Sequence, residues 1–188
     1  MSEKFKTYDK EKAYFVTFTI VNWLEILRDD TYKMILVDAI NYYKSNRGLL
    51  VYAYCIMHNH VHLIIQSNGS EMVSEVLRDL KKQTSKQITK KIIDENDAEK
   101  LKILEVFRKE GLRLKRIKFY KVWKDGNKPL MIMNSSMLWR IIHYIHNNPV
   151  ERSLTEKPED YLFCSARNYA ELNSLIEIEY VTRELITH

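Results

Sequence analysis

Along this chain, stretches that alternate between apolar and polar residues give way to stretches with apolar residues at helical spacing, and the order of the two periods predicts the elements. Ala13 to Trp23 (AYFVTFTIVNW) is rich in β-branched and aromatic residues and alternates around Phe15, Thr17 and Thr19, as a half-buried strand does. From Thr31 to Lys44 the positions Met34, Ile35, Val37, Asp38, Ile40 and Asn41 recur nearer helical spacing. Asp29, Asp30 or Thr31 is available as N-cap there, and Ser45 to Gly48 ends the pattern. Leu49 to Met57 and Val61 to Gln66 are strand-like runs on either side of a polar break at His58 and Asn59, placed to pair as a hairpin. Ser70 opens a long helical pattern through Met72, Val73, Val76, Leu77 and Leu80 to about Lys91, and Asp94 to Glu110 reads as a charged helix closed by Gly111. Leu114 to Trp123 returns to strand composition before an Asp125-Gly126-Asn127 turn. Ser135 or Ser136 is positioned to cap a last helix running to Asn148, where Pro149 is expected to stop it.

The order is β-α-β-β-α-(α)-β-α, and its β-α-β-β-α-β part is that of the split-βαβ, ferredoxin-like sandwich. The expected fold class is therefore α+β, an antiparallel sheet with helices mainly on one face. No repeat or linker divides residues 1–188, which read as one domain with a charged helical insertion at about 94–111 and a tail at about 150–188. Pro158, Tyr161, Phe163 and Tyr169 are the anchors that would pack that tail down. A hydrophobic share of 45% with 4 Gly and 3 Pro excludes disordered, collagen-like and low-complexity readings. Thirty Lys+Arg against 25 Asp+Glu, a net charge of +5, permits a polyanionic partner without requiring one. Cys55 and Cys164 are too few and too far apart in sequence for a disulfide framework or thiolate zinc site. No apolar run approaches the roughly 18 residues of a membrane span, and the first residues lack the apolar core of a signal peptide, so the expected location is cytoplasmic.

The densest chemical signal is His58-Asn59-His60-Val61-His62 leading into Leu63-Ile64-Ile65. Side chains at i and i+2 of a strand share a face, so His60 and His62 stand side by side, roughly 6.6 Å apart along the strand, and can converge on one metal ion. An isolated His-x-His pair is weak evidence, but two imidazoles beginning an apolar strand cost desolvation that Tyr, Phe or Thr would avoid, and a ligand role explains that cost. The contiguous His-Asn-His spelling matches HNH nucleases in letters only, because their residues are dispersed through a ββα motif.

In the last helix, Leu138, Ile141, Ile142 and Ile145 form the buried stripe and Tyr144 lies at its margin. Asn148 follows four residues later, so its amide stacks on the side of the helix that carries the Tyr144 hydroxyl. A nucleophile and a ligating amide can come from this one helix; a boundary aromatic and a residue fixing the helix end before Pro149 would look the same.

His60-Val61-His62, preceded by Met57 and Asn59 and followed by Leu63-Ile64-Ile65, resembles the HUH motif of single-tyrosine transposases. Tyr144-Ile-His-Asn-Asn148-Pro149-Val150 resembles the helix that carries their catalytic tyrosine, and the match is independent of the first. Pro158-Glu159-Asp160-Tyr161 and Cys164-Ser165-Ala166-Arg167-Asn168-Tyr169 are similar to the downstream signature of the REP-associated branch. The resemblance runs from about Tyr14 to Tyr169. It implies a ferredoxin-like fold, metal ligation by His60 and His62 with Asn148 as third ligand, Mg²⁺ or Mn²⁺ as the metal, and attack by Tyr144 on single-stranded or hairpin DNA to give a 5′-phosphotyrosine. Two departures are His58, where many relatives have proline, and Cys164, where many have a second serine; neither touches the matched catalytic positions.

DNA binding needs a cationic track, and Arg113, Lys115, Arg116, Lys118, Lys121 and Lys124 supply one, with Phe119, Tyr120 and Trp123 interleaved. A lysine-protected strand edge would read similarly. Lys81, Lys82, Lys86, Lys90 and Lys91 read as a solvated helix face. Two other functions compete: a histidine-triad nucleotide hydrolase using His58, His60 and His62, which leaves Tyr144 and Asn148 unexplained, and a non-catalytic nucleic-acid binding protein on the same scaffold. The choice between monomer and homodimer stays open.

Overall fold

The computed structural model describes residues 9–114, 119–126 and 129–181. The hairpin forms as expected: β2 (Leu49–Ile56) and β3 (His60–Ser67) are antiparallel neighbours joined through Met57, His58 and Asn59. β3 pairs on its other side with β1 (Tyr14–Thr19), in a register that sets Thr17 opposite His62 and Thr19 opposite His60. A short β4 (Leu130–Met131) lies against Phe15 and Tyr14, which completes an antiparallel sheet of order β2-β3-β1-β4, the ferredoxin-like arrangement.

Alternation along β1 divides the sheet into two faces. Tyr14, Val16 and Phe18 are buried on one side, while Phe15, Thr17 and Thr19 are half-buried on the other. Two helices cover the first face. The helix α1 (Asp30–Arg47) starts at Asp29, whose carboxylate accepts from the Thr31 N–H at 2.9 Å, and ends at Gly48 in the left-handed region (φ 65°). At Gly48 a side chain would also collide with Asn68 and Gly69. The helix α2 (Val73–Glu95) opens with the Met72 N–H donating to the Glu75 carboxylate at 2.9 Å, and it packs against α1 through Val76, Leu80 and Ile88. The opposite face, that of Thr17 and His62, receives α4 (Ser135–Glu151).

Four details depart from the sequence reading. Pro149 does not stop α4: it lies in the last turn, where losing one N–H breaks one backbone bond, and the helix continues to Glu151 before Ser153 turns left-handed (φ 54°). The cap is Asn134 rather than Ser135 or Ser136. Gly111 lies inside α3 (Ala98–Leu112), buried, so it does not close the helix, and the segment read as an insertion sends Leu104 and Phe107 into the core. Of the strand expected over Leu114 to Trp123, residues 115–118 lie outside the described residues, and among the described ones it forms only a bridge between Trp123 and Ile20, flanked by backbone bonds from Val21 N–H to Val122 O and from Lys124 N–H to Thr19 O. Its partner runs out there, because Asn22 and Trp23 turn left-handed immediately after Ile20 and Val21 (φ 53° and 57°). One edge of β1 is thus lined by an interrupted strand, first 122–124 and then β4.

The tail seals the other edge. Tyr54 N–H donates to Ser165 Oγ, Ser165 N–H to Tyr54 O, Ile56 N–H to Phe163 O and Glu179 N–H to Val51 O, so β2 presents few open backbone groups. Tyr161 donates to the Ile56 carbonyl at 2.9 Å, and Ile176 and Ile178 are buried behind a short helix α5 (Ala166–Tyr169). Cys55 and Cys164, distant in sequence, face each other across this junction as free thiols. Among the described residues no helix is long and apolar enough to cross a membrane.

Candidate active site

His60 and His62 project together from the first residues of β3, with ring centroids 4.7 Å apart, and both are buried. Each ring is held by a neighbour through Nδ1. The Asn59 side-chain oxygen lies 2.7 Å from His60 Nδ1, and as that oxygen can only accept, His60 Nδ1–H is the donor. The Thr17 hydroxyl lies 2.9 Å from His62 Nδ1 across the β1–β3 register. His62 Nε2 is buried with no hydrogen-bond partner among the described residues, an orphaned polar atom of the kind that folding alone does not favour.

The helix α4 brings its own two groups to the same place. The Tyr144 ring packs 5.3 Å from His62 and edge-on to Phe15 at 6.1 Å, yet keeps 46% of its surface exposed. Asn148, one turn later, is buried, and its Nδ2–H donates to the Tyr144 carbonyl at 2.8 Å. That bond uses Nδ2 and leaves Oδ1 as the end of the amide that faces the two histidines. Burial holds both histidine pKa values down; the His60–His62 contact adds to this at His62, pushing it down to about 3, and the Asn148 amide opposes the shift at both rings. Both imidazoles are therefore neutral at pH 7, the state in which they can ligate a cation.

Residues 13–102 match the family described as Transposase IS200 like. That match spans a little under half of the chain and is a likeness to IS200-like transposases. No curated protein matches its sequence. Among solved structures, that of a REP-associated tyrosine transposase bound to a REP hairpin is similar with a TM-score of 0.63 at 20% identity, over 100% of this chain and 98% of that one, an agreement of fold.

Other residues singled out in the sequence are placed as follows. His58 does not join His60 and His62: it lies among Lys33, Glu25, Arg28 and Asp30, with burial and Lys33 holding its pKa down, so no histidine triad forms. His146 faces away from Tyr144 and hydrogen-bonds Ser165 Oγ at 2.9 Å, tying α4 to the tail. Arg113 pairs with Glu110 at the end of α3. Lys121 pairs with Asp125 at 2.8 Å, and Lys124 sits over the Trp23 ring, which is 6.4 Å from His60. Lys115, Arg116 and Lys118 lie outside the described residues.

Among the described residues no three His, Cys, Asp or Glu gather as a metal cluster; the third group beside the histidines is the amide of Asn148. Sequence reasoning misses Thr17 as the partner of His62 and Trp23 as the neighbour of His60. Alternation puts Thr17 on a half-buried face, but only the β1–β3 register sets it opposite His62.

Proposed function

We propose that this chain is an IS200-like transposase, a metal-dependent single-stranded DNA endonuclease and strand transferase of the REP-associated kind, working through Tyr144. One observation carries the reading: His60, His62, Tyr144 and Asn148, from two elements far apart in sequence, converge on one spot with His62 Nε2 left unpartnered.

His60 Nε2, His62 Nε2 and Asn148 Oδ1 are the atoms that would hold a divalent ion. The fit is chemical as well as spatial: the Nδ1 contacts of both rings are already made, which fixes ring orientation and leaves each Nε2 lone pair available. Two imidazoles and an amide suit Mn²⁺ somewhat better than Mg²⁺. When bound, the ion would polarise the scissile phosphate and stabilise its developing charge. Tyr144 supplies the nucleophile from a half-exposed ring that a strand can reach. Its oxygen bonds to phosphorus, the bond from phosphorus to the 3′ oxygen breaks, and the products are a 5′-phosphotyrosine and a 3′-hydroxyl that takes up a proton as the phenol loses one. Because the phosphoester is conserved on Tyr144, the reverse step rejoins strands without ATP.

The DNA partner is single-stranded or hairpin DNA, in keeping with the hairpin held by the structurally similar transposase. Arg113, Lys121 and Lys124, with Lys115, Arg116 and Lys118, form the backbone-binding set of this reading, and the charge of +5 accords with it. The test is to incubate the protein with labelled hairpin DNA from the sequence flanking its gene, with and without Mg²⁺ or Mn²⁺. A denaturation-resistant adduct that needs the metal and disappears in Tyr144→Phe supports the reading. DNA binding with no adduct under any condition would leave the non-catalytic binding protein.

A further inference from the structure

On the sheet face opposite Tyr144, a groove of about 770 Å³ runs between α2 and residues 119–126. Its floor is buried and fixed: Leu77, Val122 and Trp123 line it and are buried, and the Trp123 indole donates to Thr84 Oγ1 at 3.1 Å. On one wall Lys82 and Lys86, four residues apart on α2 and about 6 Å apart along its axis, line the opening. On the other wall stand Tyr120 and Phe119, the latter 70% exposed. Lys121 is neutralised by Asp125, but Lys82 and Lys86 have no ion pair or hydrogen bond among the described residues. In sequence they look like a solvated helix face. A solvated face needs neither a cavity at its foot nor an exposed phenylalanine across from it.

A path joins the groove to the catalytic face. Immediately after Trp123, Lys124 reaches around the sheet edge to stand 4.7 Å over the Trp23 ring, and Trp23, 53% exposed, lies 6.4 Å from the ring of His60. Trp23 is held there at φ 57°, a left-handed conformation that a bulky aromatic rarely adopts, and Asn59 Nδ2–H donates to its carbonyl at 3.2 Å. Backbone strain is thus accepted at the residue that turns an aromatic face outward between His60 and Lys124.

We infer that this groove is a second nucleic-acid site. It takes an unpaired nucleotide of the single strand adjoining the cleaved phosphate, with the base stacked on Phe119 and Tyr120 and the backbone on Lys82 and Lys86. The strand reaches it over Trp23. Charge favours a polyanion there, and an exposed phenylalanine with a partly buried tyrosine beside lysines is the kind of surface that sequence-tolerant single-strand binding uses. The inference rests on the transferase reading for where the strand begins, though not for its being bound.

Fluorescence anisotropy on the full-length protein tests it with three probes: a bare hairpin, the same hairpin carrying a single-stranded flank of about ten nucleotides, within the usual range of single-strand site sizes, and oligo(dT). The variants are Lys82→Gln/Lys86→Gln and, separately, Phe119→Ser, all on the walls of the groove rather than its buried floor. Both should bind the flanked hairpin and oligo(dT) about tenfold more weakly while binding the bare hairpin as wild type does. The lysine variant should also lower the salt slope by about 1.4, about 0.7 for each single-strand phosphate that is no longer neutralised. Unchanged affinity for the flanked probe, or an equal loss on the bare hairpin, would overturn the inference. The Tyr144 adduct is scored separately on wild type: flank-selective loss without any adduct would uphold the groove and reject the transferase, whereas an adduct with no flank-selective loss would do the reverse.

Discussion

Thr17 and His62 face each other across the central strand pair, with the threonine hydroxyl 2.9 Å from Nδ1 of the imidazole. With Nδ1–H donating to Thr17, the lone pair of His62 sits on Nε2, toward Tyr144 and Asn148. Removing the hydroxyl frees the ring to rotate or change tautomer without opening a cavity.

Thr17→Val should therefore weaken Mn²⁺ binding about 10- to 100-fold, the usual cost of removing a group that orients a ligand. Isothermal titration with Mn²⁺ checks it. A wild-type affinity in Thr17→Val would mean that Thr17 does not orient His62.

His62 also places stability and function in opposition. A buried imidazole with an unpartnered nitrogen costs folding free energy that an apolar side chain of similar size does not. His62→Leu is expected to stabilise the metal-free protein by about 1 kcal/mol in urea denaturation while abolishing both the Mn²⁺-induced rise in melting temperature and the DNA adduct. A destabilised variant would show that the imidazole is satisfied in the native protein.

Much of this site is legible in the residue pattern alone. His60 and His62 share a face because strands have period two, and Tyr144 and Asn148 share a side because helices return after about four residues. What local pattern does not supply is pairing. Before Trp123 the strand composition of Tyr120 to Val122 meets a partner that ends at Val21, and the left-handed turn at Asn22 and Trp23 that ends it has no proline or glycine to mark it. Pro149 misleads because a proline is damaging in a helix interior but costs a single bond in the last turn. Lys82 and Lys86 look solvated because the wall facing them comes from residues 119–126, far along the chain.

Stability should fall in mild acid through the buried histidines. Burial, together with nearby His143, pushes the His146 pKa down to about 4, and burial with His60 pushes His62 to about 3, both from an ordinary 6.5. Between those values and 6.5 the unfolded chain binds protons that the native chain does not, so stability is fully present above about pH 6.5 and is lost as pH falls toward 4 and then 3. In the metal-free protein each of the two should contribute about 2 kcal/mol of the loss between about pH 7 and pH 5. Urea melts of wild type and His146→Gln at the two pH values measure this; His146→Gln should show the smaller drop, and parallel drops would exclude His146 as a source.

The contact between α3 and the rest of the fold offers a last and independent test. Lys100 Nζ bridges Asp29, the N-cap of α1, at 2.9 Å and Glu95, at the end of α2, at 2.8 Å, while Glu95 also accepts from the Tyr32 hydroxyl at 2.6 Å. Hydrogen bonds from Lys100, Lys91 and Tyr32 hold the Glu95 carboxyl at about 2, and Asp29 falls to about 2 because, although burial is the largest single influence and raises it, the bonds from Lys100 and Thr31 together outweigh that burial. These groups are partly solvated, so screening limits what the cluster contributes. Lys100→Met should cost about 1 kcal/mol and speed hydrogen exchange selectively in α3, since Phe107 and Leu104 still anchor that helix. The Tyr144 adduct should form at the wild-type rate, because none of these residues touches His60, His62 or Asn148. A variant that folds normally but loses the adduct would instead tie α3 to the catalytic face.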